Sequence, residues 1–139
     1  MTSRDLATAV GALHREAALL YTRVARDFQL TSQQIQLLCA LADEPSFGEL
    51  ATALGCDKTN VTGMVDRLES RGLLTRRSDT KDRRISRVVL TEDGQRLRER
   101  VRERFAQSVA ERFGRLTPQE RSRYAALAQA LAPPTDTPA

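Results

Sequence analysis

At 139 residues the chain is sized for one domain, or one domain with extensions, and a second enzyme domain does not fit. Its single histidine and two unspaced cysteines make no metal-ligand set, and neither a G-x-S-x-G turn nor a phosphate loop is present, so neither catalysis nor a cofactor is expected. The net charge of +4 is local: residues 57–87 hold nine basic residues against five acidic, while the remainder balances at thirteen each, as expected for a footprint on a polyanion.

No run of 18 apolar residues and no basic-then-apolar leader is present, which predicts a soluble, cytoplasmic protein with no membrane partner. The two cysteines agree with a reducing compartment.

Taken in chain order, Leu6, Val10, Leu13, Ala17, Leu20 and Val24 step by four and three, the seam of a helix packed along a long partner. Thr31 to Gln34 reads as a capping box with Ile35, Leu38, Leu41 and Ala42 as the apolar face behind it. Ser46 and Glu49 repeat the box, Phe47, Leu50, Ala51 and Leu54 supply a second face, and Gly55 closes that helix.

Asp57 then caps a helix running to Gly72, with Val61, Met64, Val65 and Leu68 on its core side. The opposite side carries Thr59, Thr62, Gly63, Asp66 and Ser70, flanked by Lys58, Asn60 and Arg67. A merely solvated face usually carries long charged pairs; short donors and a mid-helix glycine predict close approach by a large partner, such as DNA in its major groove.

Leu73 to Arg77 and Ile85 to Leu90 read as a hairpin whose tip holds Lys81, Arg83 and Arg84. Helix-turn-helix followed by hairpin is a winged helix. Asp82 lies two residues from Arg84, so in an extended segment the carboxylate can hold the guanidinium in one orientation. Asp79 and Asp82, embedded in basic residues, are expected to stay ionised and paired.

Thr91 caps a long helix whose apolar residues Leu97, Val101, Phe105, Val109 and Phe113 step by four, so the stripe rotates. The helix is expected to start against the winged lobe and end against a different surface. Arg96, Arg98, Arg100, Arg102 and Arg104 alternate with Glu99 and Glu103, which predicts a solvated face of ion pairs. Thr117, Pro118 and Glu120 open a last helix with Tyr124, Leu127, Ala128 and Leu131 on one side; Pro133 and Pro134 stop it, and residues 133–139 are predicted to be disordered.

The segments LTSQQIQLLCAL, FGELATALGCDKTNVTGMVDRLESRGLLTRR and DTKDRRISRVVLTEDG resemble the MarR family, the multiple-antibiotic-resistance regulators, and the element order matches over essentially the whole chain. The resemblance implies a mainly α fold with a small β-hairpin. Residues 31–90 would form a winged helix-turn-helix lobe, and residues 1–30 and 91–132 would form helices that interlock in a homodimer. It implies a sequence-specific, ligand-responsive repressor of double-stranded DNA that binds an inverted repeat.

By position, Lys58, Thr59, Asn60, Thr62 and Gly63 would face bases and nearby phosphates, with Arg67 flanking. Arg84, oriented by Asp82, would enter the minor groove. Arg76, Arg77, Arg83 and Gln33 are weaker candidates for backbone contacts, and Lys81 stands where the family often has arginine.

Family members commonly release DNA on binding a small aromatic or phenolic effector, or on oxidation. His14 and Tyr21, seven residues apart on the first helix, are the residues offered for such a ligand. Peroxide-sensing members place a reactive cysteine in the first helix, and here none precedes Cys39. Cys39 and Cys56 read as packing residues. Two alternatives stand beside the main reading: redox control through Cys56, which lies in the turn before the base-reading helix, and a winged helix that binds a protein partner rather than DNA.

Overall fold

The computed structural model describes residues 1–131, so the disorder expected of 133–139 lies outside the described residues. The elements run α1 (Ser3–Phe28), α2 (Ser32–Ala40), α3 (Phe47–Leu54), α4 (Lys58–Ser70), β1 (Leu74–Ser78), β2 (Ser86–Leu90), α5 (Glu92–Arg112) and α6 (Pro118–Leu131).

Local chemistry fixes most of the boundaries. Capping boxes begin α2 (Thr31 with Gln34), α3 (Ser46 with Glu49) and α6 (Thr117 with Glu120), and Asp57 and Thr91 cap α4 and α5. Each cap contributes about 1 kcal/mol by satisfying backbone N–H groups that the first turn leaves unpaired. Thr2 and Asp5 form a further box at the start of α1. Gly55 ends α3 at φ 64°, the left-handed conformation in which a side chain is strained, and so allows α4 to start three residues later.

The core lies where α1, α2, α3, α4 and α5 meet the hairpin. Val24, Ile35, Leu37, Leu38, Leu50, Val61, Val65, Leu68, Leu74, Val88 and Val101 are its buried centre. The hairpin pairs Leu74 with Leu90 through to Ser78 with Ser86. The wing is also tied to the helices: Val88 N–H donates to Pro45 O at 2.9 Å, and Ser46 bridges to Arg87 in an antiparallel sense.

Three sequence expectations need correction. Ala42 is not on the apolar face of α2; that helix ends at Ala40, and Ala42 is exposed in the loop beyond it. The strands run from Leu74 and Ser86 rather than from Leu73 and Ile85, because Leu73 lies in the turn after α4 and Ile85 in the wing turn, its N–H donating to Asp82 O. The arginines of α5 do not pair with Glu99 and Glu103. Arg96 pairs with Glu92 and Asp93, Arg98 and Arg102 donate to the carbonyls of Leu41 and Cys39, Arg104 pairs with Asp27, and Arg100 lies over the Phe28 ring. Of these, only Arg96 pairs with carboxylates of its own helix; the side chains of Arg98, Arg100, Arg102 and Arg104 reach across to neighbouring elements, and the carbonyls ending α2 are the natural acceptors for cations.

The rotating stripe behaves as expected. Leu97, Val101 and Phe105 pack on the core of the lobe, whereas Val109 and Phe113 line an apolar cleft of about 210 Å³ with Leu116 and Tyr124 of the α6 end. α1 is clasped to α5 by Arg112, which donates to both oxygens of Glu16 at 2.6 and 2.7 Å. The guanidinium holds the Glu16 carboxyl below its ordinary 4.5. A carboxyl depressed in the folded state contributes stability that is present above its unfolded pKa and is lost as pH falls through the folded one. Below about pH 4.5, therefore, the thermal midpoint followed by circular dichroism is expected to fall more steeply in the native protein than in Glu16→Gln. Parallel curves would rule the clasp out as an acid-labile contact.

Much apolar surface is left open. The first ten residues are all exposed, including Leu6 and Val10, and so are Leu13, Leu19, Tyr124, Leu127 and Leu131. α6 buries no residue at all.

Candidate nucleic-acid interface

α4 has the two faces expected of it. Asp57 accepts the Asn60 N–H at 2.8 Å, which starts the helix, and Val61, Met64, Val65 and Leu68 are all buried. Lys58, Thr59, Asn60, Asp66, Arg67 and Ser70 are exposed, with Thr62 and Gly63 half-exposed among them. A Cβ on Gly63 would meet nothing within 4 Å. No internal contact therefore requires glycine there, although it costs about 1 kcal/mol in a helix interior. The Thr62 hydroxyl donates to Lys58 O at 2.9 Å, so its proton is spent and it offers lone pairs and a methyl group outward.

The wing is built from two aspartates. Asp82 Oδ1 accepts both the Arg84 N–H at 3.0 Å and its Nε at 3.2 Å, so the predicted pairing is present. Its cause differs from the expected one: residues 82–85 form a tight turn in which the Asp82 side chain folds back on the chain, not an extended strand. The Arg84 side chain is nevertheless 91% exposed.

Asp79 accepts the N–H groups of Lys81 and Asp82 on one oxygen, at 3.1 and 2.9 Å, and Arg87 Nε on the other at 3.1 Å. The Asp82 N–H first, and then the Arg87 guanidinium, hold its carboxyl below the usual carboxylate range. Arg87 also reaches Glu49 of α3 at 3.4 Å. Glu49, Asp79 and Arg87 were not singled out as site residues, although the spacing of Asp79 and Arg87, straddling the tip, was the available signal.

The remaining cations divide into two groups. Arg76 pairs with Asp66 and, at 3.5 Å, with Glu69, and lies over Phe47; Arg77 pairs with Glu44. Lys58, Arg67, Lys81 and Arg83 are exposed and make no ion pair among the described residues. Gln33 is exposed in the first turn of α2. A groove of about 410 Å³ separates the start of α4 from the wing, lined by Phe47, Gly48, Lys58, Arg76, Arg84 and Ser86.

The ligand candidates sit about two turns apart on α1 and differ in exposure. His14 is exposed, while Tyr21 is half-buried and stacked on Phe105 at 4.6 Å, and burial pushes its hydroxyl up. Burial also pushes the Cys39 thiol up, against the opposing pull of Arg102 and Arg98, which favours the thiol over the thiolate. Cys56 is half-buried in the α3–α4 turn, packed against the core.

A two-faced helix beside a cation-tipped hairpin defines a winged-helix DNA-binding protein. The family model of the MarR family matches residues 30–86. The repressor NicR of Pseudomonas putida is 40% identical over 99 residues, a match covering 67% of this chain and 63% of NicR. The homoprotocatechuate degradative operon repressor of Escherichia coli is 33% identical over 114 residues, covering 74% of this chain and 77% of the relative. The solved structure of Bordetella bronchiseptica BpsR, whose DNA binding is regulated by 6-hydroxynicotinic acid, superposes with a TM-score of 0.75 at 30% identity over 94% of each chain. The chain belongs to the MarR family of transcriptional regulators, which are not enzymes.

Proposed function

We propose that this protein is a homodimeric repressor that reads an inverted repeat in double-stranded DNA and releases it on binding a small aromatic acid or phenol. Residues 31–90 are the reading lobe, and residues 1–30 and 91–132 are the dimer helices. The observation that carries the reading is the outward face of α4, short-chained around an unfilled Gly63, set beside an arginine held ready at the wing tip.

α4 enters the major groove with Lys58, Thr59, Asn60, Thr62 and Gly63 toward bases and nearby phosphates, and Arg84 enters the adjacent minor groove. Lys58, Arg67, Lys81 and Arg83 supply phosphate contacts. Arg76 and Arg77 contribute less, since carboxylates already hold them. The apolar residues left open on α1 and α6 support a second copy as partner. The effector reading rests on BpsR and its response to 6-hydroxynicotinic acid. Tyr21 and His14 of α1 are the proposed ligand contacts.

The test is selection of bound duplexes from a random library, followed by titration of the complex with 6-hydroxynicotinate. Recovery of an inverted repeat with half-sites about one helical turn apart, roughly 34 Å, supports the reading. Binding that is salt-sensitive but indifferent to sequence overturns it in favour of bulk DNA association or a protein partner.

On the selected duplex, Thr62→Ala is expected to relax preference at one base pair by about 1 kcal/mol, because the hydroxyl, its proton spent on Lys58, accepts from an exocyclic amine. Arg84→Ala is expected to weaken binding most where A·T pairs narrow the minor groove beneath the wing. Equal losses on selected and random duplexes for both variants would mean that these residues position the protein without reading sequence.

A further inference from the structure

We infer that Arg87, braced by Asp79 and Glu49, is a positioning residue that fixes where Arg84 stands relative to α4, so that two carboxylates beside the DNA surface strengthen binding to DNA. The inference rests on the reading of α4 and the wing as the DNA surface.

The need for a brace follows from the architecture. A hairpin of two five-residue strands is marginal by itself, and the wing leaves α4 through the turn at Gly72 and Leu73. Reaching two grooves at once requires the wing tip and α4 to keep a fixed separation. Backbone contacts from Pro45 and Ser46 hold the wing root, but they lie several residues from the tip.

Side chains span that distance. Glu49 on α3 meets Arg87 Nη1 at 3.4 Å, and Arg87 Nη1 also lies 3.5 Å from the Glu44 carbonyl. Arg87 Nε meets Asp79 Oδ1 at 3.1 Å; Asp79 Oδ2 takes the Asp82 N–H at 2.9 Å; Asp82 Oδ1 takes Arg84 Nε at 3.2 Å. The line of contacts is unbroken from the helix-turn-helix to the exposed arginine. The Arg87–Asp79 link, with side chains 24% and 18% exposed, is the least exposed ion pair among the described residues, so salt and water weaken it least. Holding Arg84 in place before binding spares the ordering cost of a long side chain at the interface.

The sign of the effect separates this role from simple electrostatics. Asp79 and Glu49 are negative charges near a polyanion, and their removal should tighten binding if they act only through Coulomb repulsion. As braces, their removal weakens it.

The experiment measures dissociation constants by fluorescence anisotropy for Asp79→Ala, Arg84→Ala and the double variant, on the duplex recovered by selection and on a random-sequence duplex. Asp79→Ala is expected to weaken selected-duplex binding by roughly tenfold, the cost of one reordered long side chain. It should cause no loss on random duplex and no further loss in the Arg84→Ala background. Asp79→Asn, which keeps the shape and loses the charge, is expected to move in the same direction and serves in the cycle if the alanine variant melts early. Glu49→Gln should follow it with a smaller loss. Tighter binding to both duplexes, or losses that add to those of Arg84→Ala, would overturn the inference. Failure of the unsubstituted protein to select any duplex would instead withdraw the DNA reading itself, a result visible before any variant is made.

Discussion

Gly94→Ala is expected to destabilise the protein by about 3 kcal/mol or more, at the upper end of what overpacking costs. An added Cβ would stand 2.0 Å from the carbonyl oxygen of Leu73, 3.0 Å from its carbon and 3.1 Å from Leu90 Cδ2. The first two are backbone atoms, and they are pinned. Leu73 O accepts the Thr91 N–H at 3.1 Å, Thr91 Oγ1 donates to Gly72 O at 2.6 Å, and the same hydroxyl accepts the Gly94 N–H at 3.1 Å. Relief of the clash must break this cap and move the start of α5 away from the wing root, so DNA binding should fall together with stability. Urea denaturation checks the first effect; a midpoint unchanged from that of the native protein would show that the junction yields without cost.

Gly63→Ala provides the opposite case. With open space around the added methyl, stability should rise by up to about 1 kcal/mol, while affinity for the selected duplex falls, because the methyl group stands on the face proposed to meet the bases. A glycine kept for the core and a glycine kept for a partner are thereby distinguished by the sign of one measurement.

The contrast also marks how far the sequence could be read. Elements set by local chemistry were legible: each capping residue named from spacing is a cap, and the four apolar residues of α4 are the four it buries. Contacts made by long side chains were not. Arg98 and Arg104 have no carboxylate three or four residues away on α5 and cross to α2 and α1, whereas Arg102, three residues from Glu99, still takes the Cys39 carbonyl, because pairing along an exposed helix gains only a few tenths of a kcal/mol and a well-placed carbonyl competes with it. The Asp82–Arg84 contact was anticipated for an incorrect reason, since turn geometry at residues 79–85 cannot be read from alternation. The brace through Arg87 depends on the separation in space of Glu49 and Asp79, thirty residues apart in the chain, which no local pattern records.

Val10→Asp is expected to leave the lobe folded and to abolish dimer formation, lowering affinity for an inverted repeat by about two to four orders of magnitude, the advantage that linking two sites confers. Val10 is 57% exposed and Leu6 53%, so neither belongs to the core of the single chain, and a carboxylate there breaks no internal contact. The same exposure poses a physical problem. A helical stretch as short as residues 3–18 is marginal in water without an apolar surface to pack on, yet α1 continues through it with an unbroken apolar seam. α6, with no buried residue and with Leu127 and Leu131 open, has the same need. The N-terminal half of α1 and the whole of α6, each with open apolar residues in one chain, can satisfy one another across two chains, which is the isologous arrangement of a two-fold dimer. Light scattering on the eluted protein gives the mass of the assembly and anisotropy its affinity for whole and half sites. A variant that stays dimeric, or one that becomes monomeric yet holds the inverted repeat as tightly as before, would show that these faces serve some other partner.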